Sequence, residues 1–211
     1  MRFLDNVLSD FINKAPDQFK DAKYSAERER SVGLGVMGFH SFLQKKRLPL
    51  ESVMAKSWNK KIFKNIHDKV NQASKDLAEE RGACPDAAEY GFKERFSNKT
   101  AIAPTASISI ICGGTSPGVE PIAANSYTHK TLSGSFNVRN KYLRKLLEKH
   151  GKDTDETWST ITTNQGSVSH LDFLTQEEKD VFKTAFELDQ RWLVDLSADR
   201  TPHISQAQSI N

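Results

Sequence analysis

The residues best suited to chemistry lie in one stretch, positions 101–134, AIAPTASISIICGGTSPGVEPIAANSYTHKTLSG. Glu120 and Lys130 are its only charges, where the chain's average of 27% would place about nine. Gly, Ser, Thr and Pro make up 16 of its 34 residues. An exposed loop of that length would carry more charge, and a core segment fewer hydroxyls and glycines. The mixture suits backbone N–H groups and hydroxyls turned toward something polar, and phosphate fits best. A short strand at Ala101-Ile102-Ala103, then Pro104, then Thr105, Ala106, Ser107, Ile108 and Ser109 would set several donors at a helix start. Unpaired N–H groups and the positive dipole end attract an anion there. Pro104 suits such an entry, since a helix beginning tolerates its missing N–H. The same residues also fit a plain Ser/Thr helix cap with no ligand.

Other chemistries find little support. Gly33-Leu34-Gly35-Val36-Met37-Gly38 matches G-x-G-x-x-G, but a dinucleotide site needs a strand before it and a βαβ unit after it. Charged, helix-favouring residues 26–31 precede it, and the next clear element is a long helix, so close packing of helix against strand is the better reading. His40, His67, His129, His150, His170 and His203 show no metal-ligand spacing, and neither Cys84 nor Cys112 joins them. No metal site is expected. Cys112, beside Gly113 and Gly114, reads as a small buried cysteine more readily than as a nucleophile. There is no G-x-S-x-G and no Walker lysine.

Helices must position these residues. Phe3, Leu4, Val7, Leu8, Phe11 and Ile12 predict a helix over 2–13 that ends before Pro16. Trp58, Ile62, Ile66, Val70, Ala73 and Leu77 predict a long helix from about Ser52 to Arg81, stopped at Gly82. A third helix is expected over about 137–150, and Thr175 with Glu178 forms a capping box for a fourth. In that fourth helix Phe182, Phe186, Asp189, Leu193 and Leu196 would share a face, with Asp189 buried. Strand signals are short: 101–103 is the best, and 159–163 is ambiguous. Long helices with short apolar strands point to α/β architecture around a buried parallel sheet, without an internal domain boundary.

The 211 residues carry a net charge of +3, which by itself calls for neither nucleic acid nor membrane. Two cysteines cannot build a disulfide framework, and a reducing, cytoplasmic setting fits. The N-terminus is neither a signal peptide nor a membrane span. Residues 45–75 hold nine Lys/Arg, and residues 153–199 hold eleven Asp/Glu. Such runs are most often solvated helix faces; docking of another protein segment is the minority reading.

Several stretches, taken together and in order, resemble the large subunit of class I ribonucleotide reductases. They are RSVGLGVMGFH (30–40), RGACP (81–85), APTAS (103–107) with GVEP (118–121), YTHKTLSGSF (127–136), and DRTP (199–202) followed by QAQS (206–209). The resemblance implies one helix-rich piece, residues 1–211, of a ten-stranded α/β barrel, incomplete at both ends. It implies an enzyme that reduces ribonucleoside diphosphates to their 2′-deoxy forms through a thiyl radical. The substrate diphosphate would be held here by Pro104, Thr105, Ala106, Ser107 and Ile108, with Ser109 as an additional contact. The family's catalytic cysteines, effector-binding parts and C-terminal cysteine pair have no counterpart in this chain. No catalytic residue is therefore expected in it, and no directly bound cofactor. ATP and deoxynucleotide effectors would bind parts absent here. The implied partners are the remaining part of the large subunit and a small subunit whose metal site generates the radical. Two other readings stay open, a non-catalytic helical interaction module or relic, and a fragment of a B12-dependent reductase of related barrel fold.

Overall fold

A computed structural model describes residues 1–131 and 134–210. Leu132 and Ser133 of the YTHKTLSGSF stretch, and Asn211, lie outside the described residues. The chain divides into two compact units, residues 1–35, 59–102 and 198–209 in the first, and 36–58, 103–197 and 210–211 in the second.

In the first unit, α1 (Arg2–Lys14) and α2 (Lys20–Glu29) lead to an extended segment. The unit also holds α4 (Val53–Arg81) from Asn59 onward, and α5 (Pro85–Glu89). The expected long helix is therefore present, and Gly82 follows it. Val32, Leu77 and Phe96 form a buried cluster with Met1 and Leu4 against it. Three extended segments lie side by side in this unit. Ala101 N–H donates to the Leu34 carbonyl, Ile102 N–H to that of Ala207 and Ser209 N–H to that of Ile102. The parallel sheet expected at 101–103 is thus reduced, among the described residues, to two parallel bridges, Leu34–Thr100 and Ile102–Gln208. Gly33 belongs to this pairing, and a Cβ there would lie 3.2 Å from the Ala101 side chain. Close packing explains the glycine without a dinucleotide, but the neighbour is a second extended segment where a helix was expected.

The same unit buries a charge cluster. Asp5 is fully inaccessible and receives Arg30 at 2.7 Å, Arg81 at 2.7 Å and Arg95 at 2.9 Å. Burial pushes its carboxyl up, but the hydrogen bonds from Arg95, Arg30 and Arg81 outweigh that and leave it below its ordinary value.

In the second unit, α3 (Phe39–Lys45) and the low-charge stretch precede an antiparallel hairpin, β1 (Ser126–Thr131) with β2 (Gly134–Arg139). Then come α7 (Lys141–Lys149), α8 (Asp155–Thr163) and α9 (Gln176–Val181). Leu143, Leu146 and Leu147 of α7 pack with Trp158 and Ile161 of α8 and with Val181 and Phe182. The helix expected over 137–150 begins four residues late, because Val138 pairs with Tyr127 in the hairpin. The Asn140 side chain then accepts from the Tyr142 and Leu143 N–H groups and starts α7. Residues 159–163 are helical, which settles the ambiguous segment.

The capping box at Thr175 and Glu178 is formed, but α9 lasts only six residues. α10 (Arg191–Arg200) starts afresh, so the single stripe expected from Phe182 to Leu196 is broken. Leu193 and Leu196 are buried, while Phe186 is 84% exposed and Asp189 is exposed rather than buried. The break has a local cause: Glu187 accepts from the Thr184 N–H and hydroxyl, a turn that competes with helix.

The two charge runs partly meet each other. Within the second unit Lys56 pairs with Asp195 at 2.6 Å and Lys183 with Glu51 at 2.7 Å; within the first, Lys60 pairs with Asp199 at 3.1 Å. No described helix is long and apolar enough to cross a membrane.

Candidate functional site

The low-charge stretch lies in the second unit from Ala103 on, and its parts interlock. Thr105 takes a left-handed conformation, φ 56° and ψ 29°, unusual for a β-branched residue. α6 (Ala106–Ile111) starts directly after it. The Thr105 hydroxyl does not cap this helix. It accepts instead from the Gly118 N–H at 2.7 Å, thirteen residues on. The plain Ser/Thr cap left open by the sequence is therefore not formed. The first-turn N–H groups, Ala106 to Ile108, have no acceptor within a helix by its geometry. Ser109 is the first residue whose N–H reaches a helical acceptor, the Thr105 carbonyl at 2.9 Å.

Gly118 is buried and has φ +45°. A Cβ there would stand 2.9 Å from the Ala103 carbonyl oxygen, which no side chain tolerates without moving backbone. The APTAS and GVEP motifs thus meet face to face. The stretch is also tied to α3. Gly38 N–H donates to the Ser116 carbonyl at 2.8 Å. Ser41 and Ser116 bond reciprocally, each backbone N–H to the other's hydroxyl, at 3.1 and 2.8 Å. A Cβ on Gly38 would lie 2.5 Å from the Thr115 hydroxyl oxygen, so this glycine too serves packing.

His40 completes the attachment. Its Nδ1 accepts from the Ile122 N–H at 3.0 Å, and burial pushes the imidazole down to about 4. It is neutral near pH 7, with its proton on Nε2.

The expected site residues separate by direction. Pro104, Ala106, Ser107 and Ile108 are exposed, and Thr105 is half-buried. Ser109 points the other way: it is buried, and its hydroxyl donates to the Ala106 carbonyl at 2.8 Å. On that flank a cavity of about 420 Å³ is lined by Ala106, Ser109 and Ile110 of α6 together with Ser41, Gln44 and Tyr127. The open donors of the segment are therefore the N–H groups of Ala106, Ser107 and Ile108, with the exposed Ser107 side chain beside them.

Sequence reasoning overlooked the amides behind the cavity. The Asn125 side chain donates to the Gly166 and Phe182 carbonyls, and its oxygen accepts from Asn140, which also donates to Gln44. Asn125 and Asn140 flank a hairpin that sequence did not reveal, so no signal marked them as partners. Cys112, expected to be buried, is exposed at the end of α6, while Cys84 is buried. Among the described residues no group of His, Cys, Asp and Glu could hold a metal ion.

This arrangement, a short strand and proline leading into an uncapped helix start braced by a glycine-rich return, sits in a chain of identified ancestry. The sequence model of the family "Ribonucleotide reductase, barrel domain" matches residues 1–94 and 85–211, and the chain belongs to that family. It is 47% identical over 215 residues to the ribonucleoside-diphosphate reductase large subunit of Invertebrate iridescent virus 6, covering 100% of this chain and 22% of that protein. To the large subunit of Invertebrate iridescent virus 3 it is 49% identical, covering 98% of this chain and 33% of that protein. The solved class Id ribonucleotide reductase alpha subunit of Actinobacillus ureae matches with a TM-score of 0.91 and 41% identity, over 99% of this chain and 38% of that one. The expected class, a helix-rich portion of the reductase α/β barrel, is what these matches show. The chain spans well under half the length of these relatives.

Proposed function

We propose that this chain supplies the diphosphate-binding segment of a ribonucleoside-diphosphate reductase large subunit and works only with the remaining part of that subunit. The carrying observation is the uncapped start of α6. Thr105 gives its hydroxyl to Gly118, and the N–H groups of Ala106, Ser107 and Ile108 stay open to an anion. Pro104 and Thr105 set the entry angle of the chain, and Ser109 anchors the helix from behind rather than reaching outward. The work of this segment is binding and orientation: a gripped diphosphate fixes where the ribose sits. The chemistry, reduction at the 2′ position through a thiyl radical, belongs to groups supplied by the rest of the subunit. The radical would come from a separate small subunit with a metal site, and the effectors ATP and deoxynucleotides would bind outside this chain. We infer no directly bound cofactor and a cytoplasmic setting.

The low charge of residues 101–134 and the intact meeting of APTAS with GVEP speak against a decayed interaction module, because drift would readily admit charge there. A B12-dependent relative is the less favoured reading, since the solved neighbour is a class Id subunit.

The test is reassembly. The chain alone should turn over nothing. Mixed with the rest of a large subunit, a small subunit and a dithiol reductant, it should restore reduction of CDP or ADP. Thr105→Val and Gly118→Ala should then raise KM for the diphosphate more than they lower kcat. Turnover by the lone chain, or unchanged KM in both variants, would defeat the proposal.

A further inference from the structure

The first helix carries a second message. One face of α1 is committed to the first unit: Asp5 and Ile12 are buried there, and Leu4 packs on its core. An adjoining face carries Phe3, Val7 and Phe11 at steps of four residues, 76%, 51% and 39% exposed, continued by Phe19 at 50%. A row at that spacing is a ridge of the kind that seats against another helix. Beside it Val7, Phe11, Pro16 and Phe19 line a shallow groove of about 420 Å³. Its charged rim is neutralised internally, since Lys14 pairs with Asp10 at 2.7 Å. Single exposed apolar residues are ordinary, but a contiguous row of large ones marks an interaction surface.

We infer that this face seats an amphipathic helix of the polypeptide that supplies the rest of the barrel. The inference rests on the reading of the chain as one part of a larger subunit. Its occupant follows from what the relatives contain. In the two viral large subunits the matched stretch is 22% and 33% of the length, so 78% and 67% (100 − 22 and 100 − 33) is further polypeptide. A charge-neutral apolar ridge calls for an apolar helix face, not for a nucleotide or an acidic peptide. A second copy of this chain fits less well. One helix of thirteen residues offers less than the roughly 800 Å² per partner that a stable dimer buries. Completion of a barrel brings further contacts elsewhere and does not depend on this patch alone.

The probe is the Invertebrate iridescent virus 6 large subunit expressed without its matching 215-residue stretch. The wild-type 211-residue chain should capture it. The combined variant Phe3→Ser, Val7→Ser, Phe11→Ser should bind roughly a hundredfold more weakly, because apolar anchors dominate such interfaces. Phe92→Ser, at a 64% exposed residue elsewhere in the same unit, should bind like wild type. A second readout does not depend on the triple variant folding. In Val7→Cys, alkylation of the new thiol should slow at least tenfold when the probe is added. Equal binding by the triple variant, or an alkylation rate indifferent to the probe, overturns the inference. So does a dimer of the lone chain that the triple variant abolishes, which would make the occupant a second copy. These failures leave the proposed function intact if reassembly still restores reduction. If the wild-type chain neither binds the probe nor restores reduction, the larger-subunit reading falls as well.

Discussion

Thr105→Val isolates the contact on which the diphosphate segment turns. Valine keeps the β-branch and shape of threonine, so any strain of the left-handed φ of 56° is unchanged. Only the hydroxyl goes, and with it the acceptor of the Gly118 N–H, 2.7 Å away and buried. Stranding a buried N–H costs about 1–3 kcal/mol. Trp58, Trp158 and Trp192 all lie in the second unit, so tryptophan fluorescence in urea follows the unfolding of this unit. With a urea dependence of about 2 kcal/mol per molar, the midpoint should fall by roughly 0.5–1.5 M. Thr105→Ser, which keeps the hydroxyl, should stay within about 0.5 kcal/mol of wild type. If valine and serine variants unfold at the same midpoint, the hydroxyl does not brace Gly118, and the explanation of the uncapped helix start collapses.

Other perturbations follow from the same geometry. Asp5→Asn leaves Arg30, Arg81 and Arg95 without their buried counter-charge and should cost about 3–5 kcal/mol in denaturant unfolding. Because the Asp5 carboxyl is held below its ordinary value, the stability it contributes is present above the unfolded pKa and disappears as pH falls through the folded one. An acid titration of unfolding in which Asp5→Asn shows the same slope as wild type would contradict this. His40 works over a different window. Its folded value of about 4 lies below the unfolded value of about 6.5, so the unfolded state takes up the proton first. Stability should decline between about pH 6.5 and pH 4, by as much as about 3 kcal/mol, and His40→Phe should flatten that stretch while lowering stability at pH 7. Gly118→Ala, whose Cβ would press on the Ala103 carbonyl oxygen at 2.9 Å, should destabilise more than Thr105→Val in the same fluorescence assay.

Much of the scaffold was legible because its signals are local. The stripe from Trp58 to Leu77 and the stop at Gly82 define α4 within a residue. Thr175 and Glu178 form their capping box as their spacing requires. Errors arose where strand pairing or a side-chain turn overrides the helical pattern. Val138 looks like the first apolar residue of a helix, but Tyr127 recruits it into a strand. Phe186 and Asp189 continue a helical stripe on paper, yet the Thr184–Glu187 turn interrupts it. The candidate site shows the same division. The low charge and the Pro104-to-Ser109 run are visible in sequence. The return of Gly118 onto Ala103 and Thr105 is not, because nothing in the sequence between them states that they touch. Nor could spacing reveal that Ser109 turns inward while Ser107 stays exposed, since both are hydroxyls in one short helix.

The most direct measurement is the backbone amide response to a phosphorylated ligand in the reassembled, ¹⁵N-labelled subunit. ADP should shift the Ala106, Ser107 and Ile108 amide resonances downfield in a saturable way. Adenosine, lacking the diphosphate, should leave them in place. Saturable ADP binding that leaves all three amides unmoved would show that the diphosphate is held elsewhere.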